Sequence, residues 1–212
     1  MRIFFTDTNS NLTGEAAAKM GVVLIRMPYV CNGELRYDGD GAIADGTITT
    51  SALNAYEYKE IFKPYEGNEL VYVAYTDKRT STFENLKKAG IPNLNVIDSG
   101  FIAAAQVKVL ERVMRGEPYD DIRQYGIIDN PDKTARVSTN GIVLFEARNG
   151  EAFPIGQYAS VEEALPELKR LINSGLTYGK DLNNTLRHHL GQSYIGGVYE
   201  EAKGDENGQI RP

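Results

Sequence analysis

Arg2-Ile3-Phe4-Phe5-Thr6-Asp7-Thr8-Asn9-Ser10-Asn11-Leu12 stands directly behind Met1. An apolar run that ends at once in hydroxyls and a carboxylate predicts a strand delivering polar groups to the carboxyl edge of a parallel sheet, where α/β domains bind ligands. The alanine-rich stretch from Gly14 to Met20 follows, with Gly21 as a C-terminal stop, so strand passes into helix. Val22 to Met27 and Tyr29 to Cys31 form a second extended segment interrupted by Pro28, and Asn32-Gly33 is a turn signal. The Gly- and Asp-rich stretch from Tyr37 to Gly46 reads as loop. Ser51 to Tyr65 carries Leu53, Tyr56, Tyr58, Ile61 and Phe62 at a mostly helical spacing, with Thr50 or Ser51 as the expected N-cap.

The strand, polar turn, helix unit then recurs. Leu70 to Tyr75 reads as a buried strand, Thr76 to Thr82 as its polar turn and Phe83 to Ala89 as its helix. Asn95 to Gly100 repeats the pattern ahead of a helix from Ile102 to Arg115 that Gly116 ends. Three such units predict an α/β fold with a parallel, doubly wound sheet. Near Tyr125 the texture changes. Gly141 to Ala147 and Ala152 to Tyr158 read as strands around an Asn149-Gly150 turn, and Ser160 to Glu163 as a capping box opening a helix to about Asn173. Pro166 predicts a late start or a kink in it. Leu182 to Leu190 reads as helix, and Tyr194 to Ala202 as strand or helix. Domains are expected at 1–124 and, as a smaller α/β unit, 125–203, with a flexible tail over 204–212.

Composition narrows the function. A length of 212 residues allows one or two domains, and a net charge of −6 argues against a nucleic-acid or anionic-membrane surface. The one cysteine, Cys31, cannot close an internal disulfide and reads as a small buried hydrophobe in a reducing compartment. No apolar run reaches the ~20 residues of a membrane span, and the MRIFFTD start is short for a secretory signal. A soluble, cytoplasmic protein is expected.

One cysteine and two adjacent histidines cannot supply a zinc site, and His188 and His189, on different sides of a helix, read as a solvated or partly packed pair. The phosphate-loop, dinucleotide and nucleophile-elbow patterns are missing. What remains is hydroxyls at strand and helix ends: Thr6 and Thr8 around Asp7, Thr49 to Ser51, Thr76 with Thr80 to Thr82, and Ser99. Hydroxyls beside helix N-termini bind a carboxylate or phosphate; alternatively each cluster is a cap or a turn. Asp7 and Asp98 read equally as carboxylates that organise loop backbone.

In this order the pieces resemble the DegV family of bacterial fatty-acid-binding proteins. Its members open with a strand ending T-D-S-T-x-D-L, where this chain has Thr6-Asp7-Thr8-Asn9-Ser10-Asn11-Leu12. An apolar strand and a D-G-K-x-Y-R-D-G turn come next, matched by Val22 to Tyr29 and by Asn32-Gly33-Glu34-Leu35-Arg36-Tyr37-Asp38-Gly39. Thr50-Ser51-Ala52-Leu53-Asn54 stands for T-S-Q-P-S, and Thr76-Asp77-Lys78-Arg79-Thr80-Ser81-Thr82-Phe83 for S-S-x-L-S-G-T-Y. Asn95-Val96-Ile97-Asp98-Ser99 matches V-x-V-I-D-S.

The resemblance implies a DegV-like N-terminal domain, a reduced second domain, and a long-chain fatty acid as bound ligand, with no catalytic residues, metal or cofactor. By matching position Thr50, Ser51 and Thr80, with Ser81 and Thr82, would hold the carboxylate. Thr6, Asp7, Thr8, Asp98 and Ser99 would form the pocket rim. Arg136 joins the ligand set because Lys133 to Ser138 resembles the family's K-G-G-R-I-S. A kinase related to dihydroxyacetone kinase is the implied partner, and Phe5, Ile25, Val73, Ile102, Val107 and Phe145 are candidates to line an apolar tunnel. Two departures stand out. Ser81 replaces the family's glycine beside the head group. The family's C-terminal G-x-H-x-G-P-G-A is not reproduced, so no histidine is carried over. The alternative is a DegV-like scaffold that binds another small anion or a protein partner.

Overall fold

The computed structural model describes residues 1–39, 46–129 and 141–201. The first part of the chain forms β1 (Arg2–Asp7), α1 (Gly14–Lys19), β2 (Val22–Ile25), β3 (Pro28–Cys31), β4 (Glu34–Tyr37), β5 (Ile48–Thr50), α2 (Ala55–Phe62), β6 (Glu69–Ala74), α3 (Thr82–Ala89), β7 (Leu94–Asp98) and α4 (Ala103–Arg115). The second part forms β8 (Arg123–Ile128), β9 (Ile142–Arg148), β10 (Glu151–Tyr158), α5 (Val161–Leu171), β11 (Thr177–Tyr178), α6 (Asn184–Leu190) and β12 (Ile195–Tyr199). The boundary read at 124/125 falls inside β8. Arg136 and the tail from Gly204 lie outside the described residues.

The parallel sheet runs β2-β1-β6-β7, and every pairing in it is parallel. Its two central strands leave in opposite directions, β1 through α1 to β2 and β6 through α3 to β7. The crevice between their carboxyl ends is therefore the topological switch point. Helices cover both faces. Tyr58 and Phe62 of α2 with Leu86 and Ala89 of α3 pack on Phe5, Ile25 and Tyr72, while Ala105, Val109 and Leu110 of α4 pack on Val22 and Val73. Phe5 alone meets Phe62 at 4.7 Å and Tyr65 at 5.1 Å between ring centroids. The expected doubly wound arrangement is the observed one.

Local signals account for most element ends. Asn32 and Gly33 have φ of 51° and 85°, the two positive values that a tight hairpin between β3 and β4 requires. The expected cap of α2 is corrected: Thr50 ends β5, and Asn54 is the N-cap. Asn54 accepts the backbone N–H of Glu57, whose carboxylate accepts that of Asn54, a reciprocal pair that neither Thr50 nor Ser51 can make. The helix therefore starts at Ala55 and is followed by a short 3-10 turn, Lys63–Tyr65. Pro166 neither delays nor ends α5, which starts at Val161 behind its cap Ser160 and runs through it.

The second part is a five-stranded sheet, β10-β9-β8-β12-β11, antiparallel throughout. Of the stretch expected as strand or helix, Ile195–Tyr199 is strand, where Gly196 and Gly197 admit the close approach of Tyr194 and Ile172; Ala202 lies outside the described residues. Beside the parallel sheet lies a small antiparallel one, β4-β3-β5. The β9–β10 turn seats the second part on the first: Gly150 N–H donates to Gly100 O at 3.0 Å, and Arg79 Nε donates to Gly150 O at 3.3 Å.

A Cβ on Gly150, at φ 76°, would lie 2.9 Å from Thr76 Cβ, whereas one on Gly116, at φ 69°, meets nothing within 4 Å. Gly116→Ala is expected to cost about 1 kcal/mol of backbone strain, and Gly150→Ala about 1–3 kcal/mol more from the added clash. Urea unfolding of both variants tests the ranking; equal losses would show that the turn yields without cost.

Candidate functional site

The polar block after β1 is a buried frame. Asp7 is fully enclosed: Oδ2 accepts the Tyr72 hydroxyl at 2.7 Å, and Oδ1 accepts Asn9 N–H at 2.9 Å and Gln106 Nε2 at 3.2 Å. Asp38, from the turn after β4, accepts the Thr8 hydroxyl at 2.9 Å and Thr185 N–H at 3.3 Å. Thr8 Oγ1 in turn accepts Met27 N–H at 3.0 Å. Burial pushes both carboxyls above the usual carboxylate range, against the opposing pull of their hydrogen bonds.

This frame docks α6. Asn183, the α6 N-cap, accepts Leu186 N–H at 2.9 Å, donates its own N–H to Asn11 Oδ1 at 2.9 Å and gives its side-chain amide to Thr8 O. Asn11 donates to Asp181 O at 3.1 Å, and Asn184 donates to the Tyr29 hydroxyl at 3.0 Å.

A cavity of about 660 Å³ lies between this helix and the switch-point crevice. Thr50, Ser51, Thr80, Ser81 and His189 contribute to its wall, as do Met27, Ile102, Leu186 and Leu190. Thr50 Oγ1 and His189 Nε2 share a hydrogen bond of 3.1 Å. Across the cavity Thr80 Oγ1 lies 3.0 Å from Thr82 Oγ1, which accepts the hydroxyl of buried Tyr58 at 3.2 Å. Burial raises the Tyr58 phenol, so it stays a proton donor through the physiological range. Arg79 is the one permanently charged residue lining the cavity among the described residues. A second cavity of about 50 Å³ shares Tyr75, Arg79, Ile102 and Leu190 and continues towards Phe145 and Ala147.

The structure thus brings Thr50, Ser51, Thr80 and Ser81 to one cavity and leaves Thr82 behind Thr80, supporting its hydroxyl. The rim expectation is corrected. Thr6, Asp7 and Thr8 are buried beneath the cavity, and only Asn9 of that block lines it. Asp98 and Ser99 close their own turn, Asp98 accepting Gly100 N–H at 2.8 Å and Ser99 bonding Phe101 O at 3.0 Å. The proposed tunnel residues do not converge either: Phe5 and Ile25 belong to one core cluster and Val73 to another, while Ile102 and Phe145 line cavities. Val107 is half-buried on α4. His189, which was not carried over, lines the cavity against Thr50. Its signal was the spacing His189-Leu190-Gly191, which keeps the H-x-G of the family's C-terminal segment. Arg79, Tyr75, Thr185 and Asn9 also line the cavity without having been singled out.

No family model matches the chain, and no curated protein matches it by sequence. Solved structures do. DegV, a fatty-acid-binding protein of Bacillus subtilis, aligns over 93% of this chain and 97% of its own with 12% identity and a TM-score of 0.77. A fatty-acid-binding DegV family protein of Thermus thermophilus aligns over 94% of this chain and 99% of its own with 12% identity and a TM-score of 0.76. A DegV family protein of Eubacterium eligens loaded with heptadecanoic acid aligns over 94% of this chain and 99% of its own with 15% identity and a TM-score of 0.73. The chain has the fold of the DegV proteins, as its motifs led one to expect. Among the described residues no helix is long and apolar enough to cross a membrane.

The raised carboxyls give a pH test. Between about pH 4, where an unfolded Asp ionises, and the higher native value, the unfolded chain loses its proton first, so this contribution to stability falls as pH rises. Asp38→Asn cannot ionise and lacks that fall. Urea unfolding at pH 4 and pH 7 is expected to show the variant gaining on the parent chain at the higher pH; a gap independent of pH would contradict it.

Proposed function

We propose that this protein is a fatty-acid carrier rather than an enzyme, holding the carboxylate of a long-chain fatty acid among Thr50, Ser51, Thr80, Ser81 and His189. The observation that carries the reading is the joint placement of these groups, from three separate stretches of chain, on a cavity whose remaining wall includes Met27, Ile102, Leu186 and Leu190. Its volume of about 660 Å³ lies within the roughly 300–1,000 Å³ of small-molecule sites. Hydroxyls and an imidazole satisfy the carboxylate's acceptor sites, the start of α3 adds partial positive charge, and Arg79 supplies a full one. Each buried methylene adds about 0.8 kcal/mol, which favours retention of a long chain. The bound fatty acid of the Eubacterium neighbour supports the same ligand class. Arg136 is proposed as a further contact.

Ser51 and His189 are exposed and Thr50 is half-buried, so a head group held there faces solvent at the cavity mouth. That accessibility suits presentation to a kinase related to dihydroxyacetone kinase for acyl-phosphate formation. The fold is read as a DegV-like domain over 1–124 joined to a reduced second domain over 125–203, and the protein as cytoplasmic.

Native mass spectrometry and solvent extraction of the purified protein are expected to show retained fatty acid. Ser51→Ala with Thr80→Ala, and separately His189→Ala, should each weaken fatty-acid binding by about tenfold or more with the melting temperature unchanged, since each removes a hydrogen bond to a charged group. A protein that is isolated empty and also fails to bind added fatty acids sinks the carrier reading.

A further inference from the structure

Tyr58 is a buried phenol that touches the cavity only through other residues. Its ring is fully enclosed in the core cluster with Leu53, Phe62 and Tyr72, where a phenylalanine ring would pack as well. Its hydroxyl leads out of that core, donating to Thr82 Oγ1 at 3.2 Å. Tyr72, beside it, donates its own proton the other way, to Asp7 at 2.7 Å. Burial raises both phenols, so each keeps a proton to donate.

The protons can be followed outward from Tyr58. Thr82 Oγ1 receives the phenol's proton, so its own hydroxyl proton is directed to Thr80 Oγ1 at 3.0 Å. Thr80 Oγ1 also receives the backbone N–H of Thr82 at 3.3 Å. A hydroxyl has two acceptor lone pairs and one proton, so Thr80 is filled as an acceptor and can only donate. Among the described residues its bonds are these two, and Thr80 is half-buried on the cavity wall, which leaves its proton for a group in the cavity. The opposite wall has no such polarity, because either partner of the Thr50–His189 pair can be the donor.

We propose that Tyr58 and Thr82 are positioning residues that fix Thr80 as a hydrogen-bond donor, so that its side of the site selects a head group that only accepts, an ionised carboxylate. This deepens the carrier reading and rests on it. Without the phenol's proton, Thr80 and Thr82 can exchange roles, and Thr80 then turns a lone pair towards the anion. The relay removes that competing arrangement before the ligand arrives.

The test is a double-variant cycle on the delipidated full chain, read as hexadecanoate affinity by titration calorimetry. Tyr58→Phe keeps the ring and is expected to weaken binding by about threefold to tenfold, the range that one hydrogen bond supplies. Thr80→Ala should weaken binding at least as much, and adding Tyr58→Phe to it should cost nothing further, because the relay then has no end. A merely structural role for the phenol would give losses that multiply. Thr82→Val breaks the same chain with the phenol in place, so it carries the cycle should Tyr58→Phe fail to fold, and Thr82→Ser should restore parent affinity. Unchanged binding in Tyr58→Phe and Thr82→Val, or losses that multiply with Thr80→Ala, overturn the inference and leave the carrier reading intact. Failure of the parent protein to bind hexadecanoate overturns both.

Discussion

The cavity exists because Asp38 accepts from both ends of the chain. Its carboxylate takes the hydroxyl of Thr8, thirty residues before it, and the N–H of Thr185, far behind it. Asn183 and Asn11 reinforce the joint by exchanging bonds between the loop after β1 and the residues that start α6. The junction adds to the apolar face of α6, where Leu186 and Leu190 pack with Phe145 and Tyr194, since its seven residues are too few for stability from helix propensity alone. With it, His189 and Thr185 are delivered to a crevice that the parallel sheet opens at its switch point.

The junction is polar throughout, and that has a physical consequence. Hydrogen bonds fix direction as well as distance, so they can set the rotation of a short helix in a way that an apolar seam of similar area does not. The opening block shows the same economy: Asp7 collects Tyr72, Asn9 and Gln106, and Gln106 Nε2 also reaches Thr6 Oγ1 at 3.1 Å, tying α4 to β1. Two carboxyls buried beneath the proposed carboxylate site would repel such a ligand if fully charged. Burial opposes their ionisation, which moderates that repulsion.

Most of the fold was legible because three of the four parallel strands, β1, β6 and β7, are each followed by a polar turn and a helix, all within some thirty residues. Asn32-Gly33, Gly90 and Gly116 mark ends that local geometry alone decides, the last two at φ of 61° and 69°. What escaped notice was non-local or too short to carry a period. β5 has three residues and β11 two, and β12 depends on glycines that have no strand propensity of their own. The α2 cap was misplaced because Thr50 and Ser51 are good cap types, and only the Asn54–Glu57 spacing separates the true start from them.

The site was legible on the side contributed by the N-terminal motifs and dark on the side contributed by α6. Thr50 and Thr80 sit at ends of regular elements, where a hydroxyl has few uses besides capping or binding, so their pattern carried information. His189 sits in Arg-His-His-Leu-Gly, where two adjacent histidines leave only the short H-x-G spacing to mark one of them. The choice is made by the rotation of α6, and that rotation is set by Asn183 and Thr185 meeting Asn11, Thr8 and Asp38 across the molecule, together with Leu186 and Leu190 packing on Phe145 and Tyr194. The first block of the chain therefore reads in two ways: its Thr6-Asp7-Thr8 core builds the foundation, and its Thr8 carbonyl and Asn11 side chain hold the start of a helix more than 170 residues later that supplies the other wall of the cavity.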